Sequence, residues 1–260
     1  MNLEQGESLF ADLKRRKFLV TEQHAEQRKP LYGIFTDIPP HYDLINTLIT
    51  WNMDKRWRRL AARACLAAGP RNFLDLCCGT GDLAIEVARL ASPEVEITGL
   101  DYSQPMLDIA TEKAGRLAGK RKIRFFQGVA ASMPFPDGCF DSIGISFAFR
   151  NLTYKNPLAG KHLAEILRVL KKGGQCVIAE SSQPDNNIIR GLYHFYMRSY
   201  VSSLGTWLSG NKPAYRYLAE SASRYYKPAE LKNLLLASGF SEVSYRPLFF
   251  GVAGIYTAVK

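Results

Sequence analysis

The segment Phe73-Leu74-Asp75-Leu76-Cys77-Cys78-Gly79-Thr80-Gly81-Asp82 narrows the fold more than any other stretch of the chain. An apolar run meets two glycines and passes directly into residues with helical spacing. Glycine lets the backbone turn sharply and lets a ligand approach the main chain. The helix that follows offers unpaired N–H groups in its first turn. The surrounding sequence repeats the pattern: candidate strands fall at 72–78, 95–101, 122–127, 140–147 and 174–180, with helical stretches at 81–91, 103–118 and 156–171. Alternating strand and helix signals predict a parallel sheet covered on both faces. A further helix is expected over 54–68, with Asp54 as N-cap and Gly69-Pro70 as stop. Lys171-Lys172-Gly173-Gly174 reads as a helix C-cap, and Pro39-Pro40 argues against a long helix over 31–53.

Beyond the fifth strand the rhythm breaks. Residues 181–226 hold many aromatics and small polar residues but no good strand, and read as helices inserted over the sheet edge, a cap. A helix over 227–239 and strands at 241–248 and 252–259 then end the sequence in a β-hairpin, unlike a plain dinucleotide fold. The expected organisation is a polar arm over 1–30 and one domain over 31–260 that includes the cap.

No run approaches ~20 uninterrupted apolar residues, so no transmembrane helix is expected. The N-terminus lacks the apolar core of a secretory signal. The five cysteines include one adjacent pair and no C-x-x-C, which suits a reducing cytoplasm. His24, His41, His162 and His194 are far apart, so no metal site is expected. The net charge is +10. Residues 71–180 are nearly balanced, with 14 Lys/Arg against 12 Asp/Glu, whereas 181–260 hold 9 against 4. Such an excess fits nucleic acid, an anionic membrane or a merely solvated surface. No nucleic-acid-binding module is evident, so nucleic acid is not expected as a partner.

Gly79-x-Gly81-x-x-Ala84, with Asp101 twenty positions after Gly81, fits a dinucleotide fingerprint. Asp75 favours a different ligand. A carboxylate inside the first strand would repel a pyrophosphate but attract the methionine ammonium of S-adenosylmethionine. The other reading of Asp75 is a turn-capping residue that accepts hydrogen bonds from loop N–H groups. Asp101 ends the second strand, placed to accept from ribose hydroxyls, unless it or Ser103 only caps the next helix. Tyr102 and Met106 would flank an adenine slot, or serve as plain core.

With Gly79-Thr80-Gly81-Asp82 in place, the sequence from about Phe35 to Lys260 resembles the UbiE/MenG family, whose members methylate a ring carbon in ubiquinone and menaquinone biosynthesis. Phe35-x-x-Ile38-x-x-x-Tyr42-Asp43-x-x-Asn46 and Lys55-x-Trp57-Arg58 are similar to its N-terminal signature. Met133-Pro134-Phe135-Pro136-Asp137 and Arg168-Val169-Leu170-Lys171-x-Gly173-Gly174 match too, but occur across many methyltransferases. Arg150-Asn151-Leu152-Thr153 and Tyr215-Arg216-Tyr217-Leu218-x-Glu220-Ser221 are the specific pieces. The resemblance implies a Rossmann-like class I methyltransferase fold, a mostly parallel seven-stranded α/β sheet with a C-terminal hairpin and a helical cap. It implies S-adenosylmethionine contacts at Thr80, Asp101, Val129, Ala130 and Ser146, which join Asp75, Cys77, Gly79, Gly81, Tyr102 and Met106 from the strand-turn-helix segments as the expected cofactor-binding set. It also implies a lipophilic quinol substrate; with the basic, aromatic-rich stretch after residue 180, that substrate predicts peripheral binding to the inner face of an anionic membrane, and a homodimer is left open. Three positions depart from the family. Val129 stands where an acidic or amide side chain is usual, so backbone would have to hold the adenine amino group, at a loss of about 1 kcal/mol. Tyr154 stands where aspartate is common, and Gly254-Ile255-Tyr256 where a Leu-His pair is.

Methyl transfer needs donor and acceptor in line, and a phenolic ring carbon becomes nucleophilic when its hydroxyl ionises. Arg150, just past the fourth strand, is the candidate to stabilise the phenolate; the competing reading is an ion pair that holds a loop. Asn151 would orient substrate or backbone. Tyr42 would place an aromatic face against the sulfonium, or pack the N-terminal segment. Tyr193, His194, Tyr196 and Tyr200 would line an apolar entrance, or belong to a core. The expected function is C-methylation of a demethylmenaquinol-type or related benzoquinol ring; the alternative is methylation of another lipophilic or phenolic small molecule.

Overall fold

Strand β1 (Asn72–Leu76) shows how the sheet is buried. Phe73 faces one hydrophobic core, with Ala61, Leu83, Val87 and Ile255, while Leu74 and Leu76 face another, with Ile143, Ile166, Leu231 and Tyr256. Side chains alternate across a strand, so a strand apolar on both faces must lie mid-sheet between two layers of helix. The computed structural model describes residues 39–117 and 122–260. Its sheet has seven strands in the order β3-β2-β1-β4-β5-β7-β6. β2 (Glu96–Asp101), β3 (Ile123–Gln127), β4 (Phe140–Ser146) and β5 (Leu170–Ser181) run parallel to β1. β6 (Glu242–Leu248) turns into β7 (Ala253–Val259), which inserts antiparallel between β5 and β6. The strand order reverses beside β1, the crevice where open α/β sheets bind ligands.

Helices α1 (Pro39–Ile49) and α2 (Met53–Leu66) precede the sheet. α3 (Asp82–Leu90), α4 (Gln104–Gly115), α5 (Phe149–Thr153) and α6 (Ala159–Val169) connect its parallel strands. α7 (Asn187–Tyr196), a π-helical turn (Met197–Val201), α8 (Ser202–Ser209) and α9 (Lys212–Ser223) occupy the region after β5, and α10 (Pro228–Ala237) leads into β6. α1, the π turn and α9 share a third core of Ile45, Ile49, Met197, Val201, Tyr215, Ala219 and Ala222. α8 meets α9 so closely that a Cβ on Gly205 would lie 2.0 Å from the Tyr215 ring.

Pro39-Pro40 opens α1, where the missing proline N–H is unpaired in any case, and α1 stops at Ile49, so no described helix runs through 31–53. Two local expectations need correction. Asp54 is not the cap of α2. Asn52, at φ +64, stands there, and Asp54 is buried with its carboxylate bonded by Thr50 Oγ1 and Arg58. Lys171-Lys172-Gly173-Gly174 is not a C-cap, because α6 ends at Val169 and Leu170 already pairs with Phe140. The Lys-Lys-Gly-Gly run is instead a bulge in β5, where Gly173, at φ +75, donates to the Lys260 carbonyl. The arm expected over 1–30 lies outside the described residues.

Candidate functional site

A cavity of about 1560 Å³ opens at the carboxyl ends of the parallel strands. Its floor comes from the turns after β1, β2, β3 and β4, and its other walls from α1, α7 and α9. Among the described residues, Asp75, Cys77, Gly79, Thr80, Asp101, Tyr102, Met106, Val129, Ala130, Ser146, Arg150 and Asn151 all border it. Gly81 does not; it serves packing behind the turn. At φ +78 it is the αL cap of α3, and a Cβ there would come 2.9 Å from the Ala110 Cβ. Gly79, at φ +52, faces open space, with no protein atom within 4 Å of a Cβ placed on it. Tyr42 lies in α1, but its side chain falls outside the described residues.

The carboxylates of the turn have two tasks each. Asp75 accepts from the Ala84 N–H at 2.9 Å, so it caps α3, whose cap residue Gly81 has no side chain. It also borders the cavity, with no ion pair among the described residues. Burial, reinforced by Asp101 and Asp82, raises its pKa to about 8 against the Ala84 bond. A ligand ammonium would remove that penalty. Asp101 accepts from Gly79 N–H and Ser103 N–H, both at 2.9 Å, and so ties the end of β2 to the glycine turn. Each carboxylate oxygen keeps a second lone pair for a ribose hydroxyl. Burial raises the Asp101 pKa, partly offset by these N–H bonds. Ser146 Oγ is buried without a partner among the described residues and borders the same space. A lone buried carboxylate, a second one at a strand end, an uncrowded glycine and an unpaired hydroxyl together fit S-adenosylmethionine. The Val129 carbonyl accepts from Ser132 N–H at 3.1 Å, which uses one of its two lone pairs and leaves the other for an adenine amino group.

Thr80 has a use that its motif does not disclose. Its hydroxyl donates to Asp43 of α1 at 2.8 Å. Lys113 of α4 joins Asp43 at 2.9 Å and Asp82, and Arg58 reaches Asp82 at 3.2 Å. This network fastens α1 to the glycine turn.

Arg150 is 5% exposed and sits at the start of α5. Its Nη1 meets Glu180 Oε1 at 3.0 Å and Ser181 Oγ at 2.7 Å, and its backbone N–H donates to Glu180 Oε2 at 3.0 Å. The ion-pair reading of Arg150 is therefore realised. Even so, its Nε and the Oδ1 of Asn151 are buried without partners among the described residues, and both residues border the cavity. Glu180 carries no local motif, although it lies one residue before the end of β5, much as Asp101 ends β2. Asp43 owes its role to contacts with Thr80 and Lys113 that are distant in sequence, and Tyr217 of α9 borders the cavity.

The expected aromatic entrance divides. Tyr193 and Tyr196 border the cavity; His194 and Tyr200 do not. His194 Nε2 lies 2.8 Å from Gln183 Oε1, and Tyr200 stacks on Tyr196 at 5.1 Å. Burial pushes the Tyr193 phenol up to about 12, so it stays a neutral hydrogen-bond donor.

The chain matches the ubiE/COQ5 methyltransferase family over residues 21–260. A demethylmenaquinone methyltransferase of Thermus thermophilus is 42% identical over 86% of this chain and 98% of its own. The ubiquinone/menaquinone biosynthesis C-methyltransferase UbiE of Geobacter sulfurreducens is 35% identical over 96% of both. Among solved structures, a SAM-dependent methyltransferase from Aquifex aeolicus shares the fold, with TM-score 0.51 and 18% identity over 73% of this chain and 81% of that one. Fold, glycine turn and near-complete coverage agree: this S-adenosylmethionine-dependent methyltransferase belongs to the ubiE/COQ5 methyltransferase family.

Proposed function

We propose that this enzyme methylates a ring carbon of a demethylmenaquinol-type or related benzoquinol. Bound S-adenosylmethionine would supply a methyl group already activated on a sulfonium. Asp75, Asp101 and the Gly79 turn would hold the cofactor, leaving the protein's other residues to place and polarise the ring. The observation that carries the reading is that Arg150 and Asn151 both border the cavity and each keeps a buried polar atom, Nε and Oδ1, without a partner among the described residues. A quinol brings both complements: an oxygen that gains negative charge as the ring carbon attacks, and a hydroxyl to donate. Arg150 Nε–H would hold the first and Asn151 Oδ1 the second. Glu180 would act as a positioning residue, fixing the Arg150 backbone and side chain from one carboxylate. Tyr193 and Tyr217 add neighbouring aromatic wall.

The test is an assay of purified protein with methyl-labelled S-adenosylmethionine against demethylmenaquinol, its quinone and tRNA. Label should enter the quinol alone. Label in tRNA, or none in any quinol, overturns the reading. Tyr154, which borders the cavity where the family commonly has aspartate, favours including other lipophilic phenols as the second reading.

The reading extends to peripheral association with an anionic membrane surface at its cytoplasmic face. No helix among the described residues is long and apolar enough to cross a membrane. The support is the basic excess after residue 180 and the lipophilic substrate.

A further inference from the structure

Helix α7 packs Tyr193 and Tyr196 part-buried against the third core and leaves the opposite side of the helix exposed. Ile188, Leu192 and Phe195 recur at spacings of four and three, so they form one stripe along the helix. Ile188 is 75% exposed and Phe195 is 70% exposed. Leu192 lies on the border between that stripe and the cavity wall. Two segments distant in sequence bring apolar side chains to the same opening. Trp51, at φ +53 in the turn between α1 and α2, is exposed and borders the cavity. Phe249 and Phe250, in the turn between β6 and β7, border it too, and Phe250 is 74% exposed. Their φ values of +43 and +56 are costly for bulky residues, so the fold spends conformational energy to keep these rings outside.

We infer that this rim is a bilayer-docking surface through which a lipid-dissolved quinol passes into the cavity without crossing water. The inference rests on the quinol reading of the cavity. Exposed apolar groups around a cavity mouth mark an interaction site. Charge selects its occupant. Residues 186–219 contain Arg190, Arg198, Lys212 and Arg216 and no acidic residue. Arg190 and Arg198, on and just after α7, make no ion pair with any described residue. A second copy of the protein would oppose cation to cation and cover the mouth. A bilayer with anionic headgroups meets both the apolar stripe and the flanking cations. Tryptophan at such a rim suits the headgroup level, where its ring is buried and its N–H stays satisfied; here Trp51 Nε1 donates to Tyr196 Oη at 2.9 Å.

The test compares the full-length wild type with Ile188→Ser/Phe195→Ser and with Arg190→Gln/Arg198→Gln. None of these four residues borders the cavity. Two readings are taken: co-sedimentation with phosphatidylcholine vesicles with and without phosphatidylglycerol, and methylation of a short-tailed soluble quinol and of a long-tailed quinol in those vesicles. The wild type should bind the anionic vesicles. The apolar variant should lose about tenfold or more of that binding, and of activity on the embedded quinol, while its turnover of the soluble quinol is unchanged. The arginine variant should lose binding to anionic vesicles in particular, and its remaining binding should respond less to salt. Vesicle binding unaffected by both variants overturns the docking surface. So does a wild-type dimer that the apolar variant dissociates, which would make a second copy the occupant. If the wild type methylates the soluble quinol yet ignores vesicles, docking falls and the substrate reading stands. If it binds vesicles through these residues but methylates neither quinol, docking stands and the substrate reading falls.

Discussion

Asp75 carries a pH signature that follows from its burial. Its folded pKa of about 8 lies far above the unfolded value of about 3.9, so the ligand-free fold favours the neutral acid. Stability from this group is complete below about pH 4 and is lost as pH rises towards 8. The melting temperature of wild type minus that of Asp75→Asn, without ligand, should therefore decline from pH 5 to pH 8; a flat difference would mean that the carboxylate ionises without penalty. Cofactor binding has the opposite sign, because the ammonium selects the ionised carboxylate. Affinity should rise between pH 6 and pH 7.5 by up to about tenfold per unit, and Asp75→Asn should abolish the slope. Arg150 and Glu180 make a second pair of tests. Glu180→Gln leaves a buried guanidinium uncompensated and should cost about 3–5 kcal/mol of stability by denaturant titration. Arg150→Lys keeps a charge but loses the fork, and kcat should fall about a hundredfold at near-normal cofactor affinity. If activity instead tracks the folded fraction alone, Arg150 is a structural tie. The sequence discloses Asp75 and Asp101 because a strand, a turn and a helix place them locally. It does not disclose the second task of each, nor the Asp43–Lys113 and Arg150–Glu180 contacts, which span 70 and 30 residues and leave no local pattern.

At the scale of elements, the cap depends on one close approach. A methyl group on Gly205 would meet the Tyr215 ring at 2.0 Å, so Gly205→Ala must push α8 from α9. The expected cost is about 1–3 kcal/mol. Hydrogen exchange should quicken across 187–223 while β1 stays protected; unchanged exchange would show that the two helices separate freely. The parallel strands are legible because each is a short apolar run bounded by turn residues, and their observed limits fall close to those expected. What misled was punctuation. Lys-Lys-Gly-Gly looks like a helix end but bulges β5, because pairing of Leu170 with Phe140 outweighs the local signal. The insertion of β7 between β5 and β6 is a tertiary choice that a hairpin pattern leaves open.

Across the whole molecule, all five cysteines are free thiols and none is exposed. Burial raises the pKa of each, Cys139 to about 11 and Cys176 to about 12. Reductant should leave the melting temperature unchanged, and iodoacetamide at pH 8 should label the native protein far more slowly than the unfolded polypeptide. Rapid native labelling of Cys77 would show that the cofactor turn opens readily. The three separate cores have a further consequence. The floor of the cavity is built on the two cores that flank the sheet, whereas α1, the π turn and α9 share a core of their own. Substitutions in that third core need not disturb the strands that position the methyl donor. On the proposed reading Arg150 and Asn151 belong to that same platform, so exchanging the roof helices between relatives should change what surrounds the ring while the groups that hold donor and ring stay in place.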